Sequence, residues 1–184
     1  SDHEMTDLRK QHPEWVLGDA APGWCATSWN MAIPEVREHK LDLVTQACRL
    51  TDWDGVEIDW QRHAFHLPDN NEFRLRYALT DLQRAIRRMT DALGEKRGRP
   101  FPVAVRVAAT LESCQHIGYD LEAWIAEDLC DVIIGGGNSG TDPCFETEEF
   151  LRLVEGTDIQ VYPGFDFDTR QQANRLIPHG QWRD

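Results

Sequence analysis

Glu57 and Asp59 are the residues of this chain best placed to do chemistry. They lie two apart in Asp54-Gly55-Val56-Glu57-Ile58-Asp59-Trp60. In an extended strand that spacing puts both carboxylates on one face and leaves Val56 and Ile58 on the other. Paired acids at a strand end move protons when their surroundings keep one ionised and the other protonated. Asp59 is the first candidate for acid/base work, with Glu57 beside it; the competing reading is a structural ion pair. The loop Gln61-Arg62-His63-Ala64-Phe65-His66 follows directly, as expected of a strand that delivers side chains into a cleft. Arg62 and His63 are candidates for orienting a substrate.

Other segments offer partners. In Val103-Ala104-Val105-Arg106-Val107 the arginine alternates with the valines and points away from them. Beside Glu57 or Asp59, Arg106 would keep a carboxylate ionised. The run Tyr162-Pro163-Gly164-Phe165-Asp166-Phe167-Asp168 contributes a second acid, Asp166, with Asp168 as the other choice. Either can instead be a surface acid or the cap of a helix at Thr169. Glycosidic hydrolysis usually uses two carboxyl groups, about 5–5.5 Å apart with a nucleophile or about 6.5–9.5 Å apart with a water between them. Asp59 with Asp166 could meet that need.

Trp60, Phe65, Trp29, Tyr162 and Phe165 carry flat faces of the kind that stack on sugar rings, and Trp60 and Tyr162 are the substrate-binding candidates among them. The run Gly135-Gly136-Gly137-Asn138-Ser139-Gly140 lacks the Gly-Lys-Ser/Thr ending of a phosphate-binding loop. It reads as a mobile active-site loop, with Asn138 as its substrate-binding candidate. His63 and His66 resemble half of a metal site with Asp59, and a metal-dependent hydrolase is one alternative. No later strand adds a histidine, so no metal or other cofactor is expected.

These residues need strands to hold them, and the hydrophobic pattern supplies four: around Val56, over residues 102–108, over 131–134 and over 159–162, with a possible fifth at 24–29. Helices are expected over residues 4–11, from Pro34 toward Ala47, from Leu75 to Gly94, after an Asp120 cap, and over 147–155. Strand and helix alternate. The step from Val103 to Asp131 and from Asp131 to Ile159 is 28 residues each time, close to the roughly 31 expected per unit of a (β/α)8 barrel. The expectation is an α/β chain forming part of such a barrel, with some strands absent.

Composition bounds the rest. With 184 residues and 41% hydrophobic content, residues 1–184 support a single domain with its own core. A formal net charge of −13 argues against a nucleic-acid surface and favours neutral or cationic ligands. No run of 18 apolar residues marks a membrane span, and the first residues lack the pattern of a signal peptide. Localisation stays open, with secretion or periplasmic residence expected if a signal lies upstream. The five cysteines include no Cys-x-x-Cys pair, which indicates neither a zinc knuckle nor a full disulfide framework.

The run Asn30-Met31-Ala32-Ile33-Pro34-Glu35-Val36-Arg37, then Leu41-Asp42-Leu43-Val44, then Trp53-Asp54-Gly55-Val56-Glu57-Ile58-Asp59-Trp60-Gln61-Arg62-His63 resembles the glycoside-hydrolase-like barrel proteins, of a family-10-like kind. Pro102–Val107, Gly118–Trp124 and Leu129–Ile133 look like the next two βα units of that group. The resemblance implies a carbohydrate substrate and places Glu57 and Asp59 at the acid-bearing end of the fourth barrel strand. It also implies a fragment lacking the first strands and the last. The alternative within the same fold is a barrel that binds carbohydrate without cleaving it.

Overall fold

The computed structural model describes residues 7–21, 23–136 and 145–164. Its long helices follow from local sequence. Helix α2 (Pro34–Arg49) opens with Pro at its start, where a missing N–H costs nothing, and carries Val36 and Cys48 into the core. The Arg37 guanidinium donates to the Met31 and Ala32 carbonyls at 2.7 and 3.0 Å, fixing the chain's entry into the helix. Helix α4 (Tyr77–Arg97) buries Leu79, Leu82 and Ile86 along one stripe, each contributing about 1.5–3 kcal/mol by leaving water. The sequence predicts that the apolar stripe runs to Gly94, which with Gly98 and Pro100 ends the helix. The helix continues through Gly94, because this glycine lets the chain fold back: an added Cβ there would sit 3.0 Å from the Arg99 carbonyl oxygen. The helix stops at Gly98, whose φ of 70° is left-handed.

The remaining order is α1 (Asp7–Gln11), three short 3-10 turns at Pro13–Trp15, Gly18–Ala20 and Gly23–Cys25, then α2, β1 (Val56–Asp59), α3 (Glu72–Leu75), α4, β2 (Val103–Val107), α5 (Leu111–Ile117), α6 (Leu121–Ala126), β3 (Val132–Gly135), α7 (Thr147–Leu153) and β4 (Gln160–Pro163). The fifth strand expected at 24–29 does not form. That segment is a 3-10 turn followed by a single antiparallel bridge between Val16 and Trp29. The expected start of α1 at residue 4 lies outside the described residues.

The four strands form one sheet in the order β1-β2-β3-β4, and every neighbouring pair is parallel. A doubly wound sheet reverses its strand order at a switch point, whereas a barrel adds each strand beside the last. The described chain is therefore an arc of a (β/α) barrel. Strand β1 starts against β2 at a close approach that requires Gly55: a Cβ there would lie 2.7 Å from the Pro102 carbonyl oxygen.

The two faces of the sheet differ sharply. On one, Val103, Val105, Val107 and Ile133 are fully buried beneath Leu79, Ile86, Trp124 and Phe150. Gln83 ties this core together, accepting from Trp60 Nε1 at 3.2 Å and donating to the Leu129 carbonyl at 2.9 Å. At the N-terminal ends of the strands, Asp131 accepts from the Val103 N–H at 2.7 Å and from Arg87 Nη1 at 2.6 Å. In barrels that end of the strands serves stability, and the opposite end carries function.

Candidate functional site

The second face of the sheet holds the candidate site. Register places Asp59 opposite Arg106, Arg106 opposite Ile134, and Ile134 opposite Tyr162. Residues in register across a parallel sheet point the same way, so these four form one row near the C-terminal strand ends. Glu57, Ala104, Val132 and Gln160 form the row beneath. Glu57, Asp59, Gln160 and Tyr162 are exposed, Tyr162 at 52%. The alternation read from sequence thus puts both acids on one open face, together with the arginine and the tyrosine.

Arg106 settles on Glu57. Its Nε donates to Glu57 Oε1 at 2.8 Å. The remainder of its guanidinium reaches toward β4, where a Cβ on Gly164 would come within 3.0 Å of Arg106 Nη1. Asp59 is held differently. Its Oδ1 accepts from the backbone N–H groups of Gln61 at 3.0 Å and Arg62 at 2.9 Å, which closes the turn after β1. Oδ2 makes no hydrogen bond among the described residues. Arg62 and His63 are exposed on the loop that this turn starts.

The loop itself is anchored by residues whose role the sequence does not signal. The Trp60 carbonyl accepts from Tyr119 Oη at 2.6 Å and from His66 Nε2 at 2.7 Å. A carbonyl only accepts, so the His66 proton sits on Nε2. Burial raises the Tyr119 phenol well above its ordinary range and keeps it a donor. Burial also pushes His66 down to about 4, so its ring is neutral near pH 7. Tyr119 is 59 residues from Trp60 in sequence, and no local pattern links them.

Three expectations change here. Trp60 is 4% exposed, with its ring packed against His66, Tyr119 and Trp124; it is a core residue, not an open stacking surface. Trp29 is likewise buried, beneath Arg9 and Lys40. The metal set Asp59, His63 and His66 does not assemble: among the described residues no three His, Cys, Asp or Glu side chains could hold an ion, and His66 Nε2 is committed to the Trp60 carbonyl. Asn138 and Asp166 lie outside the described residues. Cys25, Cys48, Cys114 and Cys130 are buried thiols. Burial pushes Cys114 up to about 12, which leaves it without nucleophilic character. No described helix is long and apolar enough to cross a membrane.

No protein-family model and no curated protein matches the chain. Among solved structures it is similar to a glycoside hydrolase family 18 N-acetylglucosaminidase from Paenibacillus barengoltzii, with 18% identity and a TM-score of 0.46 over 70% of this chain and 38% of that one. It is similar to chitinase ChiW, a cell-surface-expressed multi-modular enzyme from Paenibacillus sp. str. FPU-7, at 19% identity and 0.46 over 70% and 15%. It is also similar to the catalytic domain of psychrophilic chitinase B from Arthrobacter TAD20, at 16% and 0.45 over 70% and 34%. The chain spans between 15% and 38% of the length of these three proteins. None of the three is described as a family 10 enzyme.

Proposed function

We propose that the open sheet face is the substrate face of a carbohydrate-acting barrel, and that its reaction is glycosidic hydrolysis with Asp59 in the acid/base role. The observation that carries this reading is the row of Asp59, Arg106 and Tyr162 at the C-terminal strand ends, its acid and its tyrosine exposed and its arginine half-buried, with Glu57 one row below. Two backbone donors fix Asp59 Oδ1 and aim the carboxyl group, while Oδ2, which has no hydrogen bond among the described residues, is the oxygen that meets a substrate in this proposal. Pre-set orientation of this kind is what an acid/base group needs.

Glu57 and Arg106 form the floor of the face. Their ion pair, together with Arg62, His63 and Tyr162, offers donors and acceptors for sugar hydroxyls. Tyr162 also offers an exposed ring for the flat side of a pyranose. Asp166 is the second carboxyl group of this proposal.

The test is turnover of a panel of aryl glycosides and oligosaccharides, N-acetylglucosamine oligomers included. Hydrolysis by the native chain and its loss in Asp59→Asn support the reading; equal rates in the two contradict it. A second reading, binding without cleavage, is favoured by Glu57 being neutralised by Arg106 and by Asp59 serving its own loop. Calorimetry that finds glycan binding with no turnover selects it.

A further inference from the structure

The connections that leave β1 and β2 build two cavities beyond the strand ends. Each connection carries a short helix, α3 after β1 and α5 after β2, and these two helices pack together. Gly118 permits that packing, because a Cβ there would lie 3.1 Å from both the Glu72 carbonyl oxygen and Leu67 Cδ1. Thr110 starts α5, its Oγ1 accepting from the Ser113 N–H at 3.0 Å. The inner cavity, of about 370 Å³, is lined by Ala108, Ala109 and Thr110 past the end of β2, by Gly136 past the end of β3, and by Gln61 from the loop after β1. Gln61 links it to the sheet face, since its N–H is one of the two that hold Asp59 Oδ1.

The outer cavity, of about 790 Å³, reaches Asn70, Gln115 and Phe73. The two adjoin across Glu72, Ser113, His116 and Ile117, which line both, and each is within the size range of ligand sites. None of Glu57, Asp59, Arg62, His63, Arg106 and Tyr162 lines either one. At the far end Phe73 is 54% exposed, yet its ring is braced. The Arg76 guanidinium carbon lies 4.0 Å from the ring centre, and Arg76 is itself held by the Phe73 carbonyl at 2.7 Å and Asp120 Oδ2 at 2.9 Å. A ring seated on a fixed guanidinium keeps its other face for a ligand and loses little freedom on binding. Between the strand ends and Phe73 the described lining offers hydroxyls, amides and carboxylates, with no lysine or arginine. Such groups suit uncharged polyols, and the carboxylates repel an anion.

We propose that the substrate is an uncharged oligosaccharide, its reacting end on the sheet face and its chain running through the inner cavity and then the outer one to stack on Phe73. This deepens the reading of the sheet face as a carbohydrate site and rests on it. A single sugar ring fills one position, whereas a chain of rings meets the sheet face, both cavities and Phe73 at once. Phe73 is thereby a specificity-determining residue, the one that reads chain length.

The experiment is calorimetric titration of the full chain with cello-oligomers and N-acetylglucosamine oligomers from dimer to hexamer, using Asp59→Asn where turnover intervenes. The expected result is an affinity for one series that rises at least roughly tenfold from dimer to hexamer, the scale of covering part of a phenyl ring. Phe73→Ala removes the rise and Phe73→Trp keeps it. Ser113→Trp, which places a large ring where the two cavities adjoin, also removes it, and so reports independently if Phe73→Ala fails to fold. Leu151→Ala, which trims a similarly exposed apolar side chain on α7, leaves the rise intact. Galacturonate oligomers of the same length bind more weakly than the neutral ones. Binding of dimers or turnover of aryl glycosides with no gain at greater length, or a gain that survives Phe73→Ala, overturns the extended site and leaves the sheet-face reading standing. Tighter binding of the galacturonate hexamer than of the neutral hexamers overturns it as well. No binding of any oligomer at millimolar concentration, with no turnover of any glycoside, overturns both.

Discussion

Arg106 stands opposite Asp59 in the sheet register, yet its guanidinium Nε bonds to Glu57 at 2.8 Å. The side chain reaches back one row across the strand pair and neutralises the lower of the two acids. Asp59 is left to the turn that follows it. The two carboxylates of one strand face therefore have different partners: one a fixed cation, the other two backbone N–H groups. Such a division of environments is how neighbouring acids come to play different roles.

Arg106→Met should be mild for stability and severe for the sheet face. The pair is about one-third exposed, so its loss costs at most about 1 kcal/mol in urea unfolding. Turnover or glycan binding should fall at least tenfold, because Glu57 then stands as an uncompensated charge on the substrate floor. Gly164→Ala should move activity in the same direction, since its Cβ would press on Arg106 Nη1 and Ile134 Cγ2, each at 3.0 Å. Full activity in both variants would remove Arg106 from the site.

Tyr119→Phe removes one of two donors to the Trp60 carbonyl and should cost about 1–2 kcal/mol, measured by chemical denaturation. Because His66 shares that carbonyl and lies 3.2 Å from the Tyr119 hydroxyl, the combination with His66→Gln should be non-additive. Strict additivity would mean that the two residues act apart.

Acid should weaken the fold through His66. Its folded pKa is pushed down to about 4, while an unfolded histidine titrates near 6.5. Between those values the unfolded chain binds more protons than the folded one. The His66 contribution is thus fully present above about pH 6.5 and is lost as pH falls toward 4, approaching about 3 kcal/mol. Urea midpoints at pH 7.5 and pH 5 should differ more in the native chain than in His66→Gln. Equal differences would show that the buried imidazole is not the sensor.

Gln83→Leu tests the polar link inside the core. It strips a partner from both Trp60 Nε1 and the Leu129 carbonyl, each buried, and leaving two buried groups unsatisfied should cost about 2–4 kcal/mol. A thermal midpoint within a degree or two of the native value would contradict this account of how β1 is tied to the start of β3.

Much of this architecture is legible in the sequence because it is local. The alternation of Val56, Glu57, Ile58 and Asp59 dictates which face each takes, and the 28-residue step from Val103 to Asp131 sets the parallel strands. What escapes is decided by distance in the chain. Trp60 reads as a stacking ring until Tyr119, Trp124 and His66 close over it, and Arg106 could serve either acid until packing chooses Glu57. Gly94 reads as part of the helix end because the chain's return at Arg99, which needs its missing side chain, leaves no mark in the helix pattern.

The most direct test of the central claim is the rate of glycoside hydrolysis by the native chain against Asp59→Asn. The substitution keeps the size of the side chain and an Oδ1 acceptor for the Gln61 and Arg62 N–H groups, so the loop should hold. Loss of acid/base function predicts a fall of roughly 10²–10⁴ in kcat with an unchanged fold by circular dichroism. A rate within twofold of native would contradict the assignment of acid/base chemistry to Asp59.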